Sequence, residues 1–164
     1  MRSPLIGLAL ILAAPAYAAP RYQLTEKGGG LGLWIDQTVL LHVRPGVGDD
    51  EDIWTAERRR VESNFCGIRT DKGCTATTIS VHEQIDGRRC PALQVAMAAL
   101  PAARDEYRRW AHDVMVTDTA EIRLTALSDA GNVEEIQAEY VGPIEAWWHS
   151  SEAHIAQCWA AAPH

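Results

Sequence analysis

The chain has 164 residues, with 22 acidic side chains against 15 basic ones and a formal net charge of −7. That balance argues against generic binding to nucleic acid or to an anionic membrane, because both need a basic surface. The length suits one domain with one sizeable core.

The first element is an export signal. Arg2 and the free amine form a short positive segment, Leu5 to Ala14 is apolar apart from Gly7, Pro15 follows, and Ala16-Tyr17-Ala18 places small residues where signal peptidase reads. The apolar run is shorter than the roughly 20 residues a bilayer span needs. Residues 1–18 are therefore expected to be cleaved, leaving a chain that starts at about Ala19, has a formal charge of −8 and contains no further apolar run. The residue directly after the expected cleavage site is Ala19 and not a cysteine, so no lipid anchor is expected there. The expected location is periplasmic or secreted, with no membrane span after cleavage. The preference for arginine over lysine and the abundance of alanine fit a GC-rich bacterial genome.

Residues 19–32 contain Gly28-Gly29-Gly30 and little pattern, and read as a flexible lead-in to a single α+β domain over 33–162. The triple glycine lacks the spacing of a phosphate-binding loop. Leu33 to Arg44 alternates with period two and reads as one long strand, or two turned near Asp36-Gln37, ended by Pro45-Gly46. Asp49-Asp50-Glu51-Asp52 lacks the ligand spacing and glycine of an EF-hand and instead resembles a helix N-terminus. Trp54, Arg58, Val61 and Phe65 recur at helical spacing, which predicts a helix over 53–64 with Val61 and Phe65 inward.

Thr75 to Val81 is rich in β-branched residues and predicts a strand, closed by a turn at Asp86-Gly87. Cys90-Pro91 opens a helix with Leu93, Met97 and Leu100 on its buried stripe, ended by Pro101, and Ala102 to Ala111 suggests a second short helix. Val114 to Val116 is a candidate strand. Glu121 to Leu127 and Val133 to Val141 form a hairpin around 128–132, with Ile122, Leu124, Ala126, Ile136, Ala138 and Tyr140 facing in. Gly142-Pro143 opens a last helix to about Ala160, with Ile144, Trp148, Ile155 and Trp159 as its apolar stripe and Trp147 at its edge. The fold class is α+β: an antiparallel sheet of about four to six strands with helices packed on one face.

Four cysteines in an exported chain imply two disulfides. Three pairings are possible, and Cys66–Cys74 with Cys90–Cys158 is favoured: the first closes a turn-rich loop and the second ties the start of one helix to the end of another. No CxxC spacing supports a zinc site.

The last helix carries the best chemical candidate. Glu145, His149 and Glu152, at i, i+4 and i+7, share a face where a histidine between carboxylates suits a divalent metal or a general base. A solvated face with local charge pairs predicts the same spacing and is the favoured reading. His82-Glu83 and His112-Asp113 are adjacent pairs, and adjacent residues do not face each other in a strand or helix. Ser80, Ser150 and Ser151 lie outside any Gly-x-Ser-x-Gly turn. Binding candidates are Trp34 and Trp54, whose inward orientation the pattern does not secure, and Arg58, Arg88 and Arg108, one from each arginine cluster. No cofactor is indicated.

The function expected from class is an exported binding or inhibitor-type module whose partner is an extracytoplasmic protein or an envelope component. The alternatives are a small periplasmic hydrolase or metal-dependent enzyme using Glu145, His149 and Glu152, and an envelope assembly or structural factor.

Overall fold

The structure is a computed structural model and describes residues 20–30, 32–44, 46, 51–64, 75–110 and 120–162. Strands β1 (Tyr22–Gly28), β2 (Leu33–Arg44), β3 (Ile53–Asn64) and β4 (Thr77–Ile85) form an antiparallel meander. Helix α1 (Pro91–Arg109) then crosses over it, and the chain re-enters the sheet as the hairpin β5 (Glu121–Leu127) and β6 (Val133–Glu139), with β5 beside β1. Helix α2 (Pro143–Ile155) follows, then a 3-10 turn (Ala156–Cys158) and a two-residue strand β7 (Ala160–Ala161) at the β4 edge. The sheet order is β6-β5-β1-β2-β3-β4-β7. The expected α+β class therefore holds, with six main strands.

Alternation explains the single core. Leu24, Val39, Leu41, Ala56, Ile85, Ile122 and Leu124 occupy one side of the sheet and meet Leu93, Met97, Leu100 and Ala103 of α1 and Ile144, Trp147, Trp148 and Ile155 of α2. Trp147 also donates its indole N–H to the Ala96 carbonyl at 2.9 Å, which fixes α2 against α1. Both helices thus lie on one face.

Several expectations are corrected. The stretch read as a flexible lead-in contains β1, which pairs with β2 on one side and β5 on the other. Its inward positions are Leu24, Glu26 and Gly28, so a charge interrupts the apolar alternation. The β1–β2 connection needs glycine: Gly29 has φ of +150°, and a Cβ there would lie 2.0 Å from the Leu33 carbonyl oxygen. β2 runs unbroken past Asp36-Gln37.

Residues 53–64 form a strand, not a helix, paired along their full length with β2. Their period of two is hidden because the helix-side positions beyond Ala56 are Arg58 and Arg60. Val61 points away from the core and is exposed. Pro101 does not end α1, which continues to Arg109 and absorbs most of the expected second helix.

The hairpin forms as expected, but β6 presents the other face. An irregularity at Ala126/Leu127 shifts the register, so Gln137 and Glu139 are buried while Ile136 and Tyr140 are exposed. α1 makes this tolerable. Arg104 Nε donates to Gln137 Oε1 at 3.2 Å, and Arg104 and Arg108 both pair with Glu135. α2 ends at Ile155, short of the expected Ala160.

Cys90 and Cys158 form the expected disulfide. Cys66 and Cys74 lie outside the described residues, as do the expected export signal, Asp49-Asp50, Phe65, His112-Asp113 and the candidate strand at 114–116. Among the described residues, no helix is long and apolar enough to cross a membrane.

Candidate functional site

The helix-side face of the sheet is apolar toward one end of the strands and polar toward the other. Register explains this. Glu26, Gln37 and Arg60 lie in one cross-strand row, and Val39, Arg58 and Glu83 in the next. The flank of α2 that carries Glu145, His149 and Glu152 descends on these rows.

A continuous polar network results. His149 Nδ1 lies 2.8 Å from Glu145 Oε1, and its Nε2 lies 3.6 Å from Glu26 Oε1. Gln37, fully buried, donates from Nε2 to Glu26 Oε2 at 2.8 Å and to Glu152 Oε1 at 3.3 Å. Glu152 also receives Arg58 Nη1 at 3.2 Å and faces Arg60 Nη1 at 3.7 Å. Arg58 continues to Glu83, with Nε donating at 3.0 Å, and its guanidinium lies 4.2 Å from the centre of the Trp159 ring.

The charges fix one another. Burial pushes the Glu26 carboxyl upward, but the His149 hydrogen bond and charge, with the Arg60 charge, hold it below its ordinary value. The interaction with Glu26 raises the pKa of His149 against the opposing effect of burial, and Glu145 raises it further. Both imidazole nitrogens face carboxylate oxygens, an arrangement that favours the protonated ring.

The three α2 residues singled out by spacing thus part company. Glu145 and His149 meet, while Glu152 turns to Arg58, Arg60 and Gln37. Glu26, the partner that completes the histidine's surroundings, comes from β1 and no local spacing signals it. Among the described residues, no group of three His, Cys, Asp or Glu side chains is disposed to hold a metal ion.

The binding candidates are also dispersed. Arg58 is held in the network. Arg88 is exposed in the β4–α1 turn, where its backbone N–H bonds Asp86 Oδ1 at 3.0 Å. Arg108 is at the end of α1, paired with Asp105 and Glu135 near the opposite edge of the sheet. The three arginine clusters do not converge. Trp54 stacks on Tyr22 at 5.9 Å, and its backbone N–H and C=O both bond the Gln94 side chain. Trp34 is 48 % exposed, on the face away from the helices.

That other face is uncovered by any described element and carries two shallow concavities. One, of about 430 Å³, spans β1, β5 and β6 and is lined by Gln23, Thr25, Lys27, Arg123, Thr125 and Ile136, among others. The second, of about 360 Å³, spans β2 to β4 and includes Asp36, Thr38, Arg59, Ser80 and His82. Beside it, His82 Nε2 lies 2.9 Å from Glu57 Oε1. His82 and its neighbour Glu83 face opposite sides of β4, as alternation requires, so the histidine's partner is a residue across the strand pair. Compared with protein-family models, curated proteins and solved structures, the chain matches none.

Proposed function

We propose that the chain acts by binding, as an exported binding or inhibitor-type module that meets an extracytoplasmic protein across the uncovered face of its sheet. One observation carries this reading: Glu26, Gln37, Arg58, Glu145, His149 and Glu152 are packed against one another beneath α2, whereas the two concavities described above open on the other face of the sheet. That face has mixed charge and hydroxyl side chains, with Trp34 as its large exposed aromatic. Tryptophan and arginine are the residue types that most often anchor protein interfaces.

The test is co-purification of partners from the producing cells with the wild-type chain and with Trp34→Ala/Arg59→Glu and Glu145→Gln variants. The expected outcome is a partner lost with the open-face variant, with a drop in affinity of at least about tenfold, and retained with Glu145→Gln. Retention by the open-face variant with loss by Glu145→Gln overturns the reading.

A second reading, a small hydrolase, draws support from the Glu57–His82 pair beside Ser80 in the second concavity rather than from the α2 residues. It requires ester or amide turnover that disappears in both His82→Ala and Ser80→Ala.

A further inference from the structure

The two edges of the sheet are guarded differently. An edge strand presents unpaired N–H and C=O groups that template pairing with another chain. On β6, Tyr107 of α1 occupies that edge: its hydroxyl accepts the Ala138 N–H at 3.1 Å and donates to the Ala138 carbonyl at 3.2 Å. β6 also carries Glu134, Glu135 and Glu139, and charge on an edge discourages pairing.

The β4 edge has neither device over its first half. β7 pairs only with Glu83 and Gln84, and Ala162 N–H reaches the His82 carbonyl at 3.1 Å. Thr77-Thr78-Ile79-Ser80-Val81 has no charge, no proline and no glycine, and no described element pairs with its outer side. Ile79 is 58 % exposed. Alternate residues of an antiparallel strand point their backbone groups to opposite sides. Since the His82 carbonyl faces outward, the N–H and C=O groups of Ser80 and Thr78 face outward too.

We propose that this edge pairs with the same edge of a second copy, antiparallel about a two-fold axis through Ile79, joining the two sheets into one. The register follows from the residues. With Ile79 opposite Ile79, Thr78 of each copy exchanges both backbone hydrogen bonds with Ser80 of the other, and Thr77 faces Val81. Hydroxyl meets hydroxyl on the open face, and apolar meets β-branched on the helix side. No charged side chain is set against its like. A register centred on Ser80 needs the His82 carbonyl, which Ala162 already holds, and one centred on Thr78 runs off the end of the strand at Thr77. The contact is self-complementary and closes at two copies. It stands independently of the binding reading, although it would place two open faces side by side.

Sedimentation equilibrium of the protein purified from its producing cells is expected to show a concentration-dependent dimer. Ser80→Pro removes one outward N–H, a substitution an edge strand accommodates, and Ile79→Lys sets like charges opposite each other. Both are expected to abolish the dimer while leaving the far-UV circular dichroism unchanged. Ile79→Cys supplies a readout specific for register. A non-hydrogen-bonded antiparallel pair places Cα atoms about 4.5 Å apart, within the range a disulfide spans, so this variant is expected to cross-link to itself on mild oxidation, whereas Val81→Cys is not. A wild-type monomer at the highest soluble concentration overturns the proposal. So does a dimer that Ile79→Lys retains, or equal cross-linking at positions 79 and 81.

Discussion

At the level of single residues, His149 is the group whose charge state matters most. Its pKa is raised above the ordinary 6.5, with Glu26 as the principal cause. A raised histidine contributes stability that is fully present below its unfolded value and is lost as pH rises through the folded one. Glu26 behaves inversely. Burial opposes its ionisation, but His149 and Arg60 outweigh this and lower its pKa below the ordinary 4.5. Its contribution is present above that value and is lost as pH falls through the folded one. The network is therefore strongest between the two ordinary values, from about pH 4.5 to about 6.5, and weakens as pH moves beyond either. His149→Gln should flatten the alkaline limb of a plot of Tm against pH and also weaken the acid limb, because the His149 hydrogen bond and charge are the leading causes that lower the pKa of Glu26. An unchanged alkaline limb would mean that the imidazolium is not what joins α2 to β1. Half of this site was legible in the sequence: Glu145 and His149 meet because a helix brings i and i+4 together. Glu26, Arg58 and Glu83 were not legible as partners, because strand pairing joins positions far apart in the chain and no local period records it.

Among the secondary-structure elements, those misread share a cause. β1 and β3 place charged side chains at inward positions, Glu26 in one and Arg58 and Arg60 in the other, so neither shows the apolar alternation that marks a strand. In β6, Gln137 and Glu139 are inward while Ile136 is outside. For Glu26, Arg58, Arg60 and Gln137 the partner comes from a distant helix or the C-terminal turn, and tertiary context overrides the local pattern. β2, β5, the α1 stripe and Ile144, Trp148 and Ile155 of α2 face conventional neighbours and read correctly, whereas Trp159 of the expected α2 stripe lies beyond the helix in extended backbone. The long-range disulfide was the favoured one of the open pairings because it ties two predicted helix ends together. It joins Cys90, at the start of α1, to Cys158, which immediately precedes the Trp159 ring on Arg58 and the pairing of β7 with β4. The bridge closes 68 residues, and the chain-entropy relation assigns such a loop about 4 kcal/mol. Cys90→Ser/Cys158→Ser is expected to lose stability of that order in urea denaturation and to loosen the C-terminal turn first, seen as faster amide exchange at residues 156–162.

Across the whole molecule, the order of the sheet decides which part of the chain is dispensable. Composition and the hairpin signal were enough to indicate an α+β domain with helices on one face, but they placed the domain's start at Leu33. Among the described strands, β1 lies between β2 and β5 and joins the β2–β4 half of the meander to the β5–β6 hairpin within the sheet. Leu24 is fully buried at the centre of the core, and Glu26 supplies the carboxylate that His149 faces. A chain starting at Leu33 would expose two strand edges at once, uncover Leu24's neighbours Val39 and Leu124, and leave His149 with Glu145 alone. It cannot slide β5 onto β2 without re-pairing every residue of the hairpin against a new register. Such a chain is therefore expected to lose cooperative unfolding and near-ultraviolet circular dichroism, and to aggregate. A chain starting at Ala19 should unfold in one transition, with its slowest-exchanging amides in β1, β2 and β5. Cooperative folding of the chain that starts at Leu33 would show that the β2–β4 meander and its helices form a core without the central strand. Leu24 and Glu26 would then be dispensable to the layer that the two helices form on that face.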